Sequence, residues 1–226
     1  LGPGLVASAV SDETHVHDCH GAVVAPGLVD MRVHMGEPGA EYRETLKSLS
    51  AAAAAGGVTP VVTMPDTDPV VDEAAIVDFV LRRARATASV RVHPAAALTK
   101  GMAGKEMTEI GLLMDAGAVM FTDATRSVMN AQVLRRALSY GGMFNALFMQ
   151  HLEEPNLTGE GVVTEGEFAS RMGLPGIPRE AETIVLERDM RIVRMTGGRY
   201  HASIVTCPES LAVLRAAKKA GLNVTA

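Results

Sequence analysis

The chain alternates between two textures. From Gly27 onward, short apolar runs of strand length are separated by stretches with helical spacing. The runs 28–34, 58–64, 90–97, 118–122, 144–150 and 200–206 are predicted strands, and Asn223-Val224-Thr225 reads as the start of a seventh. Helical texture covers 42–55, 72–86, 105–116, 130–140, 181–196 and 209–220. Ala51–Ala55 is a strong helix former, and Gly56-Gly57 stops it by supplying positive φ. Asp115-Ala116-Gly117 and Lys219-Ala220-Gly221 close their helices the same way. Residues 1–26 differ. They are short apolar stretches broken by Gly, Pro and polar residues, with Ala22-Val23-Val24-Ala25 the last before Pro26. This divides the chain into part of a small β domain over 1–26 and an α/β domain over 27–226.

Strands alternating with helices imply repeated β-α units on a parallel sheet. Six units with a seventh beginning favour a TIM-type (β/α)8 barrel over a doubly wound open sheet. The open sheet would want a Gly-rich phosphate loop after its first strand. The residues there are Met35-Gly36-Glu37-Pro38-Gly39, which make no such loop. Starting at Leu1 and stopping in the seventh strand, the sequence reads as part of a longer protein. The stretch Gly159–Pro178, rich in Gly and Pro, is expected to be a functional or mobile loop.

Composition narrows the function classes. With 47% hydrophobic residues the chain can build a sizeable core. A net charge of −5 without blocks of like charge argues against nucleic acid or an anionic membrane as partner. The absence of Trp and an aromatic content of 4% argue against a stacking platform for single strands. No apolar run reaches the ~20 residues of a membrane span. Cys19 and Cys207 form no CxxC pair, so a reduced, cytoplasmic protein is expected.

In such a barrel, chemistry sits at the C-terminal ends of the strands. Those ends carry His34 after the first strand, Asp66 after the second, Asp123 after the fourth and His151 after the fifth. Imidazole and carboxylate are zinc ligand types, so His34, Asp123 and His151 are candidate metal ligands. Equally, lone histidines at strand ends are often satisfied polar residues, and both readings stand on the residues alone. His93 lies inside the third strand and reads as structural. His15-Val16-His17 has chelating spacing, and with His20 it reads as a solvated face of the small β segment.

Several segments in order along the chain resemble the dihydroorotase branch of the cyclic amidohydrolase superfamily. They are Ala25-Pro26-Gly27-Leu28-Val29-Asp30, Glu41-Tyr42-Arg43-Glu44-Thr45, Gly56-Gly57-Val58-Thr59, Met64-Pro65, Phe121-Thr122-Asp123, Val128-Met129-Asn130, Glu154-Pro155-Asn156-Leu157, Gly173-Leu174-Pro175-Gly176-Ile177-Pro178 and Thr196-Gly197-Gly198-Arg199-Tyr200-His201. The resemblance implies an amidohydrolase barrel with a small β-sandwich domain. It also implies a binuclear zinc centre that interconverts dihydroorotate and carbamoyl aspartate in pyrimidine biosynthesis.

The departures fall on the functional positions. Where the family has His-x-His, this chain has Arg32 and His34. The family's substrate-binding Arg is Gly36, and the Asn of its Met-Pro-Asn motif is Asp66, a substrate-binding position. The bridging Asp of the fourth strand is Ala124, and the metal His of the sixth is Ile204. The fifth-strand His survives as His151. A catalytic zinc uses three protein ligands, and a guanidinium repels a cation. The expectation is therefore a member without a metal cofactor and without activity; zinc is the cofactor expected if the chain is an active amidohydrolase. Arg32 is expected to fill the metal space and pair with Asp123 or Asp66. The family includes inactive members that assemble with aspartate carbamoyltransferase, so the resemblance implies that partner and an oligomeric state.

Overall fold

The computed structural model describes residues 17–226. Between 17 and 26 the backbone makes a turn and an exposed run, and the first strand begins at Leu28. The remainder of the expected β segment, with His15, lies outside the described residues.

The strands and helices follow in order β1 (Leu28–Val33), α1 (Leu46–Ala55), β2 (Val58–Thr63), α2 (Ala74–Thr87), β3 (Arg91–Ala96), α3 (Ile110–Asp115), β4 (Met120–Phe121), α4 (Ala131–Gly141) and β5 (Leu147–His151). Then come α5 (Pro155–Thr158), β6 (Val163–Thr164), α6 (Glu167–Met172), β7 (Gly176–Ile177), α7 (Glu180–Thr196), β8 (Arg199–Ser203), α8 (Pro208–Lys219) and β9 (Val224–Thr225). Seven strands form one parallel sheet in the order β1-β2-β3-β4-β5-β8-β9. This is the curled parallel sheet expected of the TIM-type barrel.

Local chemistry explains where the boundaries moved. Helix α1 starts at Leu46, later than its apolar spacing predicts. Thr45 and Ser48 form a reciprocal capping box, each side chain bonding the other's backbone N–H at 3.1 Å. The buried Glu37 carboxylate also accepts from Leu46 N at 2.9 Å. Strand β5 starts at Leu147 because a 3-10 turn over 142–144 ends on Asn145 with φ 55°. The stretch 159–178 is not a bare loop. Its two short strands, β6 and β7, pair in parallel around α6. A Cβ on Gly161 would meet Ile177 Cγ1 at 2.4 Å, so glycine there permits this close approach.

The core has two layers. The outer one packs the sheet against the helices through residues such as Val61, Phe121, Phe148, Leu134, Leu138, Val185 and Tyr200. The inner one fills the lumen with Val62, Met64, Ala95, Met120, Ala124 and Met149, flanked by Met31, Met102 and Leu147. Methionine is an adaptable filler and suits a lumen of irregular shape. Among the described residues, no helix is long and apolar enough to cross a membrane.

Candidate functional site

The mouth of the sheet is formed by residues following β1, β2, β4, β5 and β8. On β1 the pairing with β2 slips register between Asp30 and Val33. Met31 packs against the lumen cluster and Val33 against the helix-side core, so strict alternation is broken along this slipped segment. His34 Nδ1 lies 2.7 Å from Asp66 Oδ2. Both line an open cavity of about 580 Å³ together with Gly36, Tyr42 and Arg43. His151, on β5, faces a different cavity of about 290 Å³, bounded by Val162, Val163 and Ile177 of the 159–178 excursion and by Ile204 and Cys207. Its Nε2 is 2.5 Å from Glu153 Oε2.

Asp123 does not join either histidine. It is buried, and its two carboxylate oxygens accept from the Thr99 backbone N–H, at 2.9 Å, and from the Thr99 hydroxyl. Burial pushes its carboxyl above the usual range, with the Thr99 hydrogen bonds opposing. The residue that packs into the lumen is its neighbour Ala124. Asp123 thus ties the end of β4 to the turn after β3.

The expected pairing of Arg32 with Asp66 or Asp123 is not formed. Among the described residues Arg32 makes no ion pair, and its Nε is buried without a hydrogen-bond partner. Thr99 takes both oxygens of Asp123, whereas Asp66 gives one oxygen to His34 and its other is buried without a partner, out of reach of Arg32.

Ala124 and Ile204 share a second peculiarity. Both have left-handed backbone, with φ 55° and 62°. That region is uncommon for any side chain and an outlier for a β-branched one. At the two positions where the resemblance puts a bridging carboxylate and a metal imidazole, this chain carries a left-handed backbone under side chains that cannot ligate. Ile204→Gly is therefore expected to stabilise the fold by about 0.5–1 kcal/mol, strain relief being partly offset by glycine's entropy. Urea denaturation checks this; a loss of stability would show that Ile204 packing outweighs its strain.

Sequence reasoning missed two carboxylates. Glu153 follows His151 at a spacing that could have signalled the pair. Glu182 gave no local signal. It reaches from α7 to the start of α8, accepting from Thr206 N at 2.9 Å and from the Thr206 hydroxyl. Burial opposes its ionisation, but hydrogen bonds from Ser210 and Thr206 outweigh this and hold its carboxyl below the usual range.

These residues do not fit a catalytic zinc. Among the described residues, no three His, Cys, Asp or Glu side chains gather around one point. The two imidazoles open into separate cavities, and His151 Nδ1 is buried without a polar partner. Arg32, two residues before His34, adds a fixed positive charge at the end of β1. Three convergent protein ligands are the minimum for such a centre.

The fold class agrees with solved structures. An L-hydantoinase (dihydropyrimidinase) from Arthrobacter aurescens superposes with TM-score 0.73 at 20% identity, covering 88% of this chain and 46% of that one. A dihydroorotase from Saccharomyces cerevisiae, in complex with 5-fluoroorotic acid, gives 0.64 at 14% identity, covering 89% and 55%. Both have the cyclic amidohydrolase barrel. Sequence narrows the class further. A family model described as Dihydro-orotase-like matches residues 21–210. A dihydroorotase of Syntrophus aciditrophicus is 39% identical over 218 residues, 96% of this chain and 51% of that protein. One from Desulfotalea psychrophila is 43% identical over 210 residues, 93% and 50% respectively. The chain belongs to the dihydroorotase-like family. It spans about half the length of these relatives.

Proposed function

We propose that this chain comes from a non-catalytic dihydroorotase homologue of pyrimidine biosynthesis, serving as a structural partner of aspartate carbamoyltransferase. The observation that carries the non-catalytic reading is the composition of the mouth. Two imidazoles are each paired with a carboxylate of their own, and Arg32, Ala124 and Ile204 stand at the other metal positions. With two imidazoles and a fixed positive charge the site lacks the donors a catalytic zinc requires. The partner is argued from the resemblance, since that family's inactive members assemble with the enzyme preceding them in the pathway.

The test is co-elution. The full-length protein, mixed at micromolar concentration with aspartate carbamoyltransferase from the same organism, should elute with it as one large complex. Separate elution would remove the partnership. A second reading, an active zinc-dependent cyclic amidohydrolase, draws support from relatives named dihydroorotase at about 40% identity and from the unpartnered His151 Nδ1. Gly36 and Asp66 disfavour a carboxylate-bearing substrate, because an Arg is lost and a negative charge gained. Turnover of hydantoin, dihydropyrimidine or dihydroorotate with added zinc would establish that reading against the first.

A further inference from the structure

Helix α4 carries positive charge and no negative charge. Its 11 residues, Ala131–Gly141, include Arg135 and Arg136 but no Asp or Glu, in a chain whose net charge is −5. A solvated helix ordinarily sets opposite charges three or four residues apart. The polar neighbours of the two arginines at that spacing are Gln132, Ser139 and Tyr140, all neutral and all able to donate. Among the described residues, the guanidiniums engaged in ion pairs or hydrogen bonds are those of Arg82, Arg83, Arg126, Arg179, Arg188 and Arg199, which leaves Arg135 and Arg136 free.

These five side chains and Met107, just ahead of α3, line one open groove of about 500 Å³. It shares no residue with either cavity of the barrel mouth. Close packing builds one of its walls. Tyr140 is half-buried and meets Phe144 edge-on, with ring centroids 5.2 Å apart. Gly111 on α3 makes room for both rings: a Cβ there would meet Phe144 Cζ at 2.8 Å and the Tyr140 hydroxyl at 3.3 Å. The hydroxyl is thus held against α3, one helical turn from the free guanidiniums.

We propose that this groove binds a phosphate group. The Arg135 and Arg136 guanidiniums donate to its oxygens, and the Gln132 amide and the Ser139 and Tyr140 hydroxyls complete the donor set. Two fixed positive charges with no carboxylate among them match a dianion with three acceptor oxygens. The groove has the volume of a small-molecule site, so an organic group esterified to the phosphate has space over Met107 and the Tyr140 ring. The inference is independent of what the barrel mouth does.

The test is isothermal titration calorimetry of the full-length protein with phenyl phosphate and, separately, with inorganic phosphate. Saturable binding at a single site is expected. Arg135→Gln and Arg136→Gln should each weaken it by about tenfold or more, the worth of a hydrogen bond to a charged group. Arg135→Lys should recover only part of the affinity, because an ammonium keeps the charge and loses the fork. Phenyl phosphate should bind more tightly at about pH 7 than at about pH 5, as its second proton leaves near ~6 while the guanidiniums stay charged. Arg43→Gln, in the mouth, should leave binding unchanged. The three arginines are exposed, so the variants should keep the fold by circular dichroism. Tighter binding of phenyl phosphate identifies an organic monoester as the ligand; equal or tighter binding of inorganic phosphate identifies the free ion. No saturable binding of either probe, binding undiminished in the Arg135→Gln/Arg136→Gln double variant, or binding lost in Arg43→Gln alone would overturn the inference.

Discussion

Replacing Arg32 with His, Ala124 with Asp and Ile204 with His in the full-length protein is expected to raise its zinc content from below ~0.1 to about one per chain or more. His34 and His151 are already at the strand ends, and His34 has a carboxylate partner in Asp66. The backbone at 124 and 204 is left-handed, with φ 55° and 62°, and the new side chains would take those two positions at the ends of β4 and β8. Arg32→His removes the fixed cation and adds an imidazole two residues before His34. The contribution of charge can be separated: Ala124→Asp with Ile204→His but with Arg32 intact should hold much less zinc, because a guanidinium stays ionised and repels the metal. Metal analysis of the folded variants, with circular dichroism confirming the fold, checks this. A folded triple variant without zinc would show that more than these three positions has changed.

Asp189→Ala is expected to cost about 3–5 kcal/mol, the range for removing one partner of a buried ion pair. Asp189 is fully buried on α7. Arg188 Nε and Nη2 donate to its Oδ1 at 2.8 and 2.6 Å, and the Tyr200 hydroxyl of β8 donates to Oδ2 at 2.7 Å. The same guanidinium donates to the carbonyls of Val128 and Met129, both at 2.9 Å. One network thus clamps α7, β8 and the segment after β4. Burial pushes the Asp189 carboxyl upward, and Arg188 acts against it. It also drives the Tyr200 phenol well above its usual range, so the hydroxyl stays a donor. Tyr200→Phe leaves one carboxylate oxygen without its donor and should cost about 1–3 kcal/mol. Urea unfolding of the full-length variants decides. Losses below about 1 kcal/mol for Asp189→Ala would place this network among the weak surface pairs.

Periodicity located the strands of the sheet, because each is a short apolar run punctuated by Gly or polar residues. Boundaries moved where side chains competed with the backbone, as at the Thr45–Ser48 capping box. The structure within 159–178 escaped notice because its two short strands lie in a Gly- and Pro-rich stretch whose composition reads as loop. At the site, residue types at strand ends were legible but their direction was not. Asp123 suggested a ligand, yet a turn through the left-handed region at Ala124 puts Ala124 in the lumen and leaves Asp123 with Thr99. Likewise His34 could be named from its strand, but its pairing with Asp66 depends on how two strand ends meet. Arg32 was expected to pair with Asp66 or Asp123 and pairs with neither: Thr99 holds both oxygens of Asp123, and Asp66 turns one oxygen to His34 while the other stays unpartnered.

The most direct test of the degraded mouth is the zinc content, by mass spectrometry, of the full-length protein purified without chelator. The account predicts below ~0.1 zinc per chain, since the mouth lacks three convergent ligands. One or two zinc ions per chain would contradict it, and would show that His34 and His151 recruit donors that the two-imidazole reading omits.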